Sequence, residues 1–120
     1  MNLNDSKPVF IQIKQWIEDH ILNEEWSPDF QIPSIREMSG KFRVNTNTIV
    51  RTYEKLEAEG SVYSVRGVGY FVSKDSRMKI LENRHKEFYQ EILPAFLHQV
   101  DVLKINKEEI IKLLQNESKQ

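Results

Sequence analysis

"PSIREMSGKFRVNTNTIVRTYEKLEAEG", Pro33 to Gly60, decides the fold. Ser34 followed by Glu37 is the pairing of a capping box, in which two side chains reciprocally satisfy N–H groups that a helix start leaves open. A helix therefore begins there and runs to about Phe42, burying Ile35, Met38 and Phe42 on one side. Only Arg43 and Val44 remain before Asn45, whose short acceptor side chain suits the N-cap of another helix. That helix ends at Gly60, a residue free to take the left-handed conformation beyond a C-terminus. Two helices joined by so short a turn form a helix-turn-helix.

Upstream, Pro8 can open a helix without losing a hydrogen bond, and Val9, Ile13, Trp16, Ile17, Ile21 and Leu22 follow at helical spacing. The two prolines of "SPDFQIP" (Ser27 to Pro33) interrupt it, leaving room for a short extended piece around Phe30 to Ile32. Downstream, "SVYSVRGVGYFVSK" (Ser61 to Lys74) sets β-branched and aromatic residues on either side of "RGVG", which predicts a hairpin with its tip at Arg66 to Gly69. The expected class is mainly α with a small β-hairpin. It is a winged helix-turn-helix domain over residues 1–73, followed by a short two- or three-helix C-terminal segment over residues 74–120.

In that segment Met78, Leu81, His85, Phe88, Ile92, Ala95 and Gln99 recur three and four apart, and Leu93, Phe96, Leu97 and Val100 widen the apolar face. An isolated helix cannot keep such a face dry, so it must pack on something. Pro94 is expected to kink the helix or split it in two. Asn106 and Glu109 form a capping-box-like start to a last short helix, and "NESKQ" at the end is expected to fray. The tail is shorter than a ligand-binding domain needs to enclose a core of its own.

The chain has 120 residues, a formal net charge of -1 and no cysteine, so disulfides, thiol nucleophiles and cysteine-ligated zinc are excluded. No apolar run is long enough to span a bilayer and no signal peptide is legible, which predicts a cytoplasmic protein with no membrane partner. The near-neutral total hides a segregation. Two lysines face six acidic residues up to Ile32, whereas six basic residues face four acidic ones from Pro33 to Ser73. The middle is thus the basic part, as nucleic-acid binding asks.

At about 100° per residue, with Ile49 pointing inward, Tyr53 and Leu56 fall on the core side of the helix after Asn45. Asn47, Arg51 and Glu54 fall opposite, flanked by Thr48 and Lys55. Arg can bond guanine and Asn adenine through paired hydrogen bonds, and small residues at a helix start let its positive end approach phosphate. His20, His85 and His98 lack the spacing of a helical metal site, no nucleophile lies beside a base, and Gly67-Val68-Gly69 lacks the third glycine of a dinucleotide loop. No cofactor, metal or catalytic residue is expected, and the chain does not read as an enzyme. A cavity near Trp26 or Phe88 is where a small-molecule effector could bind, its identity unknown from sequence.

"PSIREMSGKFRVNTNTIVRTYEKLEAEGSVYSVRGVGYFV" resembles the N-terminal winged-helix domain of the GntR family of bacterial transcription regulators, most of all its YtrA-type subgroup. Pro33, Ser34, Arg36, Val44, Asn45, Asn47, Thr48, Arg51, Tyr53, Leu56, Gly60, Gly67, Gly69, Phe71 and Val72 match the family pattern. The likeness extends over about residues 8 to 73. It implies that Arg36 clamps a phosphate or a nearby guanine, with Ser34 and Asn45 beside the DNA. Thr46, Asn47, Thr48 and Arg51 enter the major groove, while Arg66, Gly67 and Gly69 reach the adjacent minor groove. Glycines common in the family around Glu24 and Asp29 are missing, and Val65, Val68 and Tyr70 replace more polar wing residues. The resemblance further implies a homodimer formed through Leu81, His85, Phe88, Ile92, Phe96 and Val100, acting as a repressor on double-stranded, inverted-repeat operator DNA. The alternatives are a winged helix that binds a protein partner instead of DNA, and a tail that folds back on its own domain.

Overall fold

Pro8 stands immediately before the first helix, α1 (Val9–Leu22), in the computed structural model, which describes residue 3 and residues 7–117. The Pro8 carbonyl accepts from the N–H groups of Ile11 and Gln12, and the Gln12 side chain donates to the Lys7 carbonyl at 2.8 Å. That bond lets Gln12 lie buried at the head of the helix. Val9, expected on the inner face, is exposed because it occupies the first turn, ahead of the packed stripe.

Ile13, Ile17 and Ile21 form that stripe and meet Ile49, Tyr53 and Leu56 of α3 (Thr46–Ala58), with Met38 of α2 (Ile35–Phe42) closing the core. Full burial of a side chain of this size is worth about 1.5–3 kcal/mol. The capping box is formed: Ser34 Oγ accepts from Glu37 N–H and Ser34 N–H donates to Glu37 Oε1, both at 3.1 Å. Arg43 turns the chain between α2 and α3 with φ 54°, while the Ser39 hydroxyl donates to the Val44 carbonyl across the turn. Asn45 caps α3, its Oδ1 accepting from Asn47 N–H at 2.8 Å, and Gly60 takes a φ of 80° just past the end. Lys14 ties α1 to the end of α3 through Glu59 at 2.9 Å. Burial works against the lysine charge, but the Glu59 and Glu18 carboxylates outweigh it and hold its pKa above the usual value.

Strands β1 (Val62–Val65) and β2 (Gly69–Val72) pair antiparallel, Val62 opposite Val72 and Val65 opposite Gly69. The extended piece expected around Phe30 to Ile32 lies along β2 and extends the hairpin. Asp29 N–H donates to the Val72 carbonyl, Val72 N–H to Phe30 and Ile32 N–H to Tyr70.

Glu24 and Asp29, around which the resemblance leads one to expect glycines, both hold positive φ, 62° and 70°. The turn keeps its left-handed geometry with side chains that resist it. A left-handed non-glycine residue costs about 1–2 kcal/mol, offset in part by the greater unfolded-state freedom of glycine. Glu24 is exposed and reaches Arg77 only at 3.9 Å. Glu24→Gly is therefore expected to raise unfolding free energy by about 0.5–1 kcal/mol, read from the urea midpoint. A lowered midpoint would show that the side chain contributes more than its strain removes.

Tyr53 Oη donates to the Pro33 carbonyl, joining α3 to the residue before the α2 cap. Burial, then the Glu37 charge and Tyr70, push its pKa well above the ordinary tyrosine value. The folded state thus holds this proton after the unfolded chain, with a pKa near 10, has released it. Stability should be unaffected by Tyr53 below about pH 10 and fall as pH rises beyond it. Tyr53→Phe should cost about 1–2 kcal/mol at neutral pH by stranding the carbonyl and should flatten the alkaline decline. Denaturation at pH 7 and at pH 10.5 separates the two effects.

Ser76 and Ile80 at the start of α4 (Ser76–Glu87) are buried, Ile80 in the core, so the first compact unit takes in the start of α4 and runs to Asn83. In the second unit the helical backbone continues through a π turn (Phe88–Ile92) into α5 (Leu93–Val102), and α6 (Lys107–Glu117) follows a turn at Lys104, φ 51°. Pro94 does not split the helix: the wider turn just before it accommodates the missing N–H and the ring's demand for space. Asn106 caps α6, its Oδ1 accepting from Glu108 N–H at 2.9 Å. The last three residues of "NESKQ" lie outside the described residues.

Candidate nucleic-acid interface

On α3 the buried residues are Ile49, Thr52, Tyr53 and Leu56, and Asn47, Arg51, Glu54 and Lys55 are exposed. The angular reading from sequence therefore holds, with Thr52 added to the inner face. The Thr52 hydroxyl is satisfied by the Thr48 carbonyl at 2.8 Å, its own helix supplying the acceptor that a buried hydroxyl requires.

Asn45, Thr46 and Asn47 stand exposed at the positive end of α3, and Thr48 is half-buried beside them. Small side chains here leave the helix start open to an anion. One turn on, the Arg51 guanidinium carbon lies 3.9 Å from the ring centroid of Phe10 on α1. The aromatic face attracts the cation and restricts its otherwise flexible stem. Phe10 was not legible as part of the site, because it lies off the α1 stripe and the contact exists only once α1 and α3 are packed.

Ser34 and Arg36 are exposed at the head of α2. Ser34 Oγ accepts from Glu37 N–H, so the cap orders the head of α2 where Arg36 projects. The backbone and side-chain bonds from Ser34 also hold the Glu37 carboxyl below its usual pKa, so it caps as an anion.

The wing turns through Arg66, Gly67 and Val68, with Val68 N–H donating to the Val65 carbonyl. Gly67 has φ 76° and Gly69 φ 148°, both open to glycine and disfavoured for other residues. Gln31 Nε2 donates to the Val68 carbonyl at 3.1 Å, and a Cβ on Gly69 would approach that nitrogen to 2.8 Å. The glycine thereby lets Gln31 brace the wing. Arg66 and Gly67 are exposed at its tip, while Gly69 is half-buried behind them.

Of the candidate dimer residues, His85, Phe88, Ile92 and Phe96 are exposed, Leu81 is half-buried and Val100 is buried within the single chain. Tyr89 and Leu97 are exposed as well. Among the described residues no group of acidic and histidine side chains is placed to hold a metal ion, and no helix is long and apolar enough to cross a membrane.

A tight helix-turn-helix with a polar second helix, an arginine held over its outer face and a glycine-tipped wing defines the class of winged helix-turn-helix proteins. The pattern of the bacterial regulatory proteins, gntR family, matches residues 11–72. The chain is 35% identical over 107 residues to the uncharacterized HTH-type transcriptional regulator YhcF of Bacillus subtilis, spanning 89% of this chain and 87% of that one. It is 27% identical to the HTH-type transcriptional repressor YtrA of the same organism, over 85% of this chain and 82% of that one. Among solved structures, a GntR family transcriptional regulator from Listeria monocytogenes superposes with a TM-score of 0.74 at 33% identity, over 95% of this chain and 98% of that one. The DNA-binding domain of AraR in complex with operator ORE1 matches with a TM-score of 0.56 at 32% identity, over 60% of this chain and 90% of that one.

This chain belongs to the gntR family of bacterial regulatory proteins. It is a DNA-binding transcription regulator.

Proposed function

We propose that the protein is a homodimeric repressor that sits on an inverted-repeat operator and excludes polymerase. The observation that carries the DNA contact is the outer face of α3, where Asn45 to Thr48 and the Phe10-backed Arg51 lie together. Thr46, Asn47, Thr48 and Arg51 enter the major groove, Ser34 and Arg36 grip the adjoining phosphates, and Arg66 with the Gly67 and Gly69 turn follows the minor groove. The operator-bound AraR domain supports this placement by its likeness of fold, and the name of YtrA supports the repressor role. The exposed Phe88, Ile92 and Phe96 of the C-terminal unit supply the subunit contact. Two-fold symmetry then sets the half-sites about one helical turn apart, or a multiple of it.

Fluorescence anisotropy with the duplex upstream of the protein's own gene and with a scrambled duplex, over a salt series, tests this reading. Preferential binding whose logarithm falls linearly with log salt is expected, the slope counting phosphate contacts. Equal weak binding to both duplexes, and to other segments flanking the gene, would favour a protein-binding winged helix instead.

A further inference from the structure

On the first unit, away from the α3 face, the end of α1, the turn after it, the end of β2 and the first turn of α4 enclose a cleft of about 360 Å³. Ile21, Trp26, Pro28 and Val72 make its walls apolar. Its volume lies at the small end of the range of ligand sites. The polar groups at its edge are not balanced in charge: Lys74 and Arg77 stand against Glu24 alone. Arg77 Nε donates to the Leu22 carbonyl at 3.2 Å, which anchors the side chain and leaves its terminal amino groups for another acceptor. Ser76 also lines the cleft, at the start of α4, and its hydroxyl is buried without a hydrogen-bond partner. A buried hydroxyl with nothing to bond is costly in a folded protein and marks a place where a partner is missing.

We infer that this cleft binds a small monocarboxylate with an apolar body of about one ring. The apolar part lies against Trp26, Ile21 and Val72. The carboxylate is held by Arg77 and Lys74 and, after a small opening of the α4 start, accepts from Ser76. A neutral molecule of the same shape would fill the walls but leave the cations and the hydroxyl unserved, so the charge sets the preference.

Phenylacetate and its neutral counterpart 2-phenylethanol are the probes, titrated into the full chain without DNA. Calorimetry measures affinity, and amide and indole NMR shifts map the site. Phenylacetate is expected to bind at least tenfold tighter than 2-phenylethanol, with shifts confined to Trp26, Val72, Ser73 and Ser76 and their neighbours. Ser76→Ala should weaken phenylacetate about tenfold, and Lys74→Gln combined with Arg77→Gln should abolish the preference over the alcohol. Unchanged far-ultraviolet dichroism would show that these variants fold. Absence of binding at millimolar phenylacetate, equal affinity for both probes, or shifts elsewhere in the chain would each overturn the proposal. Because DNA is absent, the result is independent of the operator reading.

Discussion

Arg51→Ala is expected to lower operator affinity by about 10- to 100-fold while leaving the fold intact, since a paired arginine–guanine contact is worth about 1–3 kcal/mol. The side chain is exposed, and its contact with Phe10 contributes only about 0.5–1 kcal/mol to stability. Loss of binding therefore cannot be ascribed to unfolding if the thermal midpoint stays within a few degrees. The salt dependence separates two roles. A base-reading arginine leaves the slope of log affinity against log salt nearly unchanged and lets the protein tolerate a substituted base, whereas a phosphate-binding one reduces the slope by about one. Arg51→Lys should behave more like alanine than like the parent, because a lysine keeps the charge without the planar pair of donors. Undiminished operator binding in Arg51→Ala would remove this residue from the interface.

The second large effect concerns the proposed subunit contact. If the protein pairs as proposed, Ile92→Glu combined with Phe96→Glu should yield monomers in sedimentation velocity where the parent sediments as a dimer, and lower operator affinity by about 10²–10⁴-fold. One recognition helix then loses the effective concentration that its tethered twin supplied. Ile92 is 50% and Phe96 45% exposed in the single chain, so the charges have water to face and the monomer should fold. A doubly substituted protein that still sediments as a dimer would place the contact elsewhere.

Local signals made the first unit legible. Ser34 with Glu37, Asn45 and Gly60 each fix a helix end through a bond or dihedral that the residue itself dictates, and the structure has all of them. The outer face of α3 comes from angle alone, because a helix of known phase leaves little choice. Phe10 under Arg51, Lys14 on Glu59 and the Tyr53 hydroxyl on Pro33 join segments distant in sequence, and no local pattern announces them. Glu24 and Asp29 show the opposite lesson. Lack of glycine argues against a left-handed turn at positions where the surrounding bonds nevertheless impose one.

The C-terminal unit is less legible because strict helical counting fails across residues 88–92. A π turn spends one residue more than an α turn over the same advance, so counting at 3.6 misplaces the later side chains by about 100°. In the single chain Leu93 is half-buried and Val100 buried, whereas Ala95 and Gln99 are exposed together with Ile92 and Phe96. Leu93 and Val100, expected to widen the apolar face, are the positions there that the single chain itself covers.

The same turn sets which insertions and deletions the segment could absorb. Removing one residue from Phe88–Ile92 would let the backbone close to an ordinary α-turn, with the flanking faces keeping their angular relation. Removing one from the middle of α5 has no such slack to draw on and would swing every later side chain by about a quarter turn. In lineages of this chain, length changes should therefore gather at the π turn, and their presence there would leave the exposed apolar face on either side in phase.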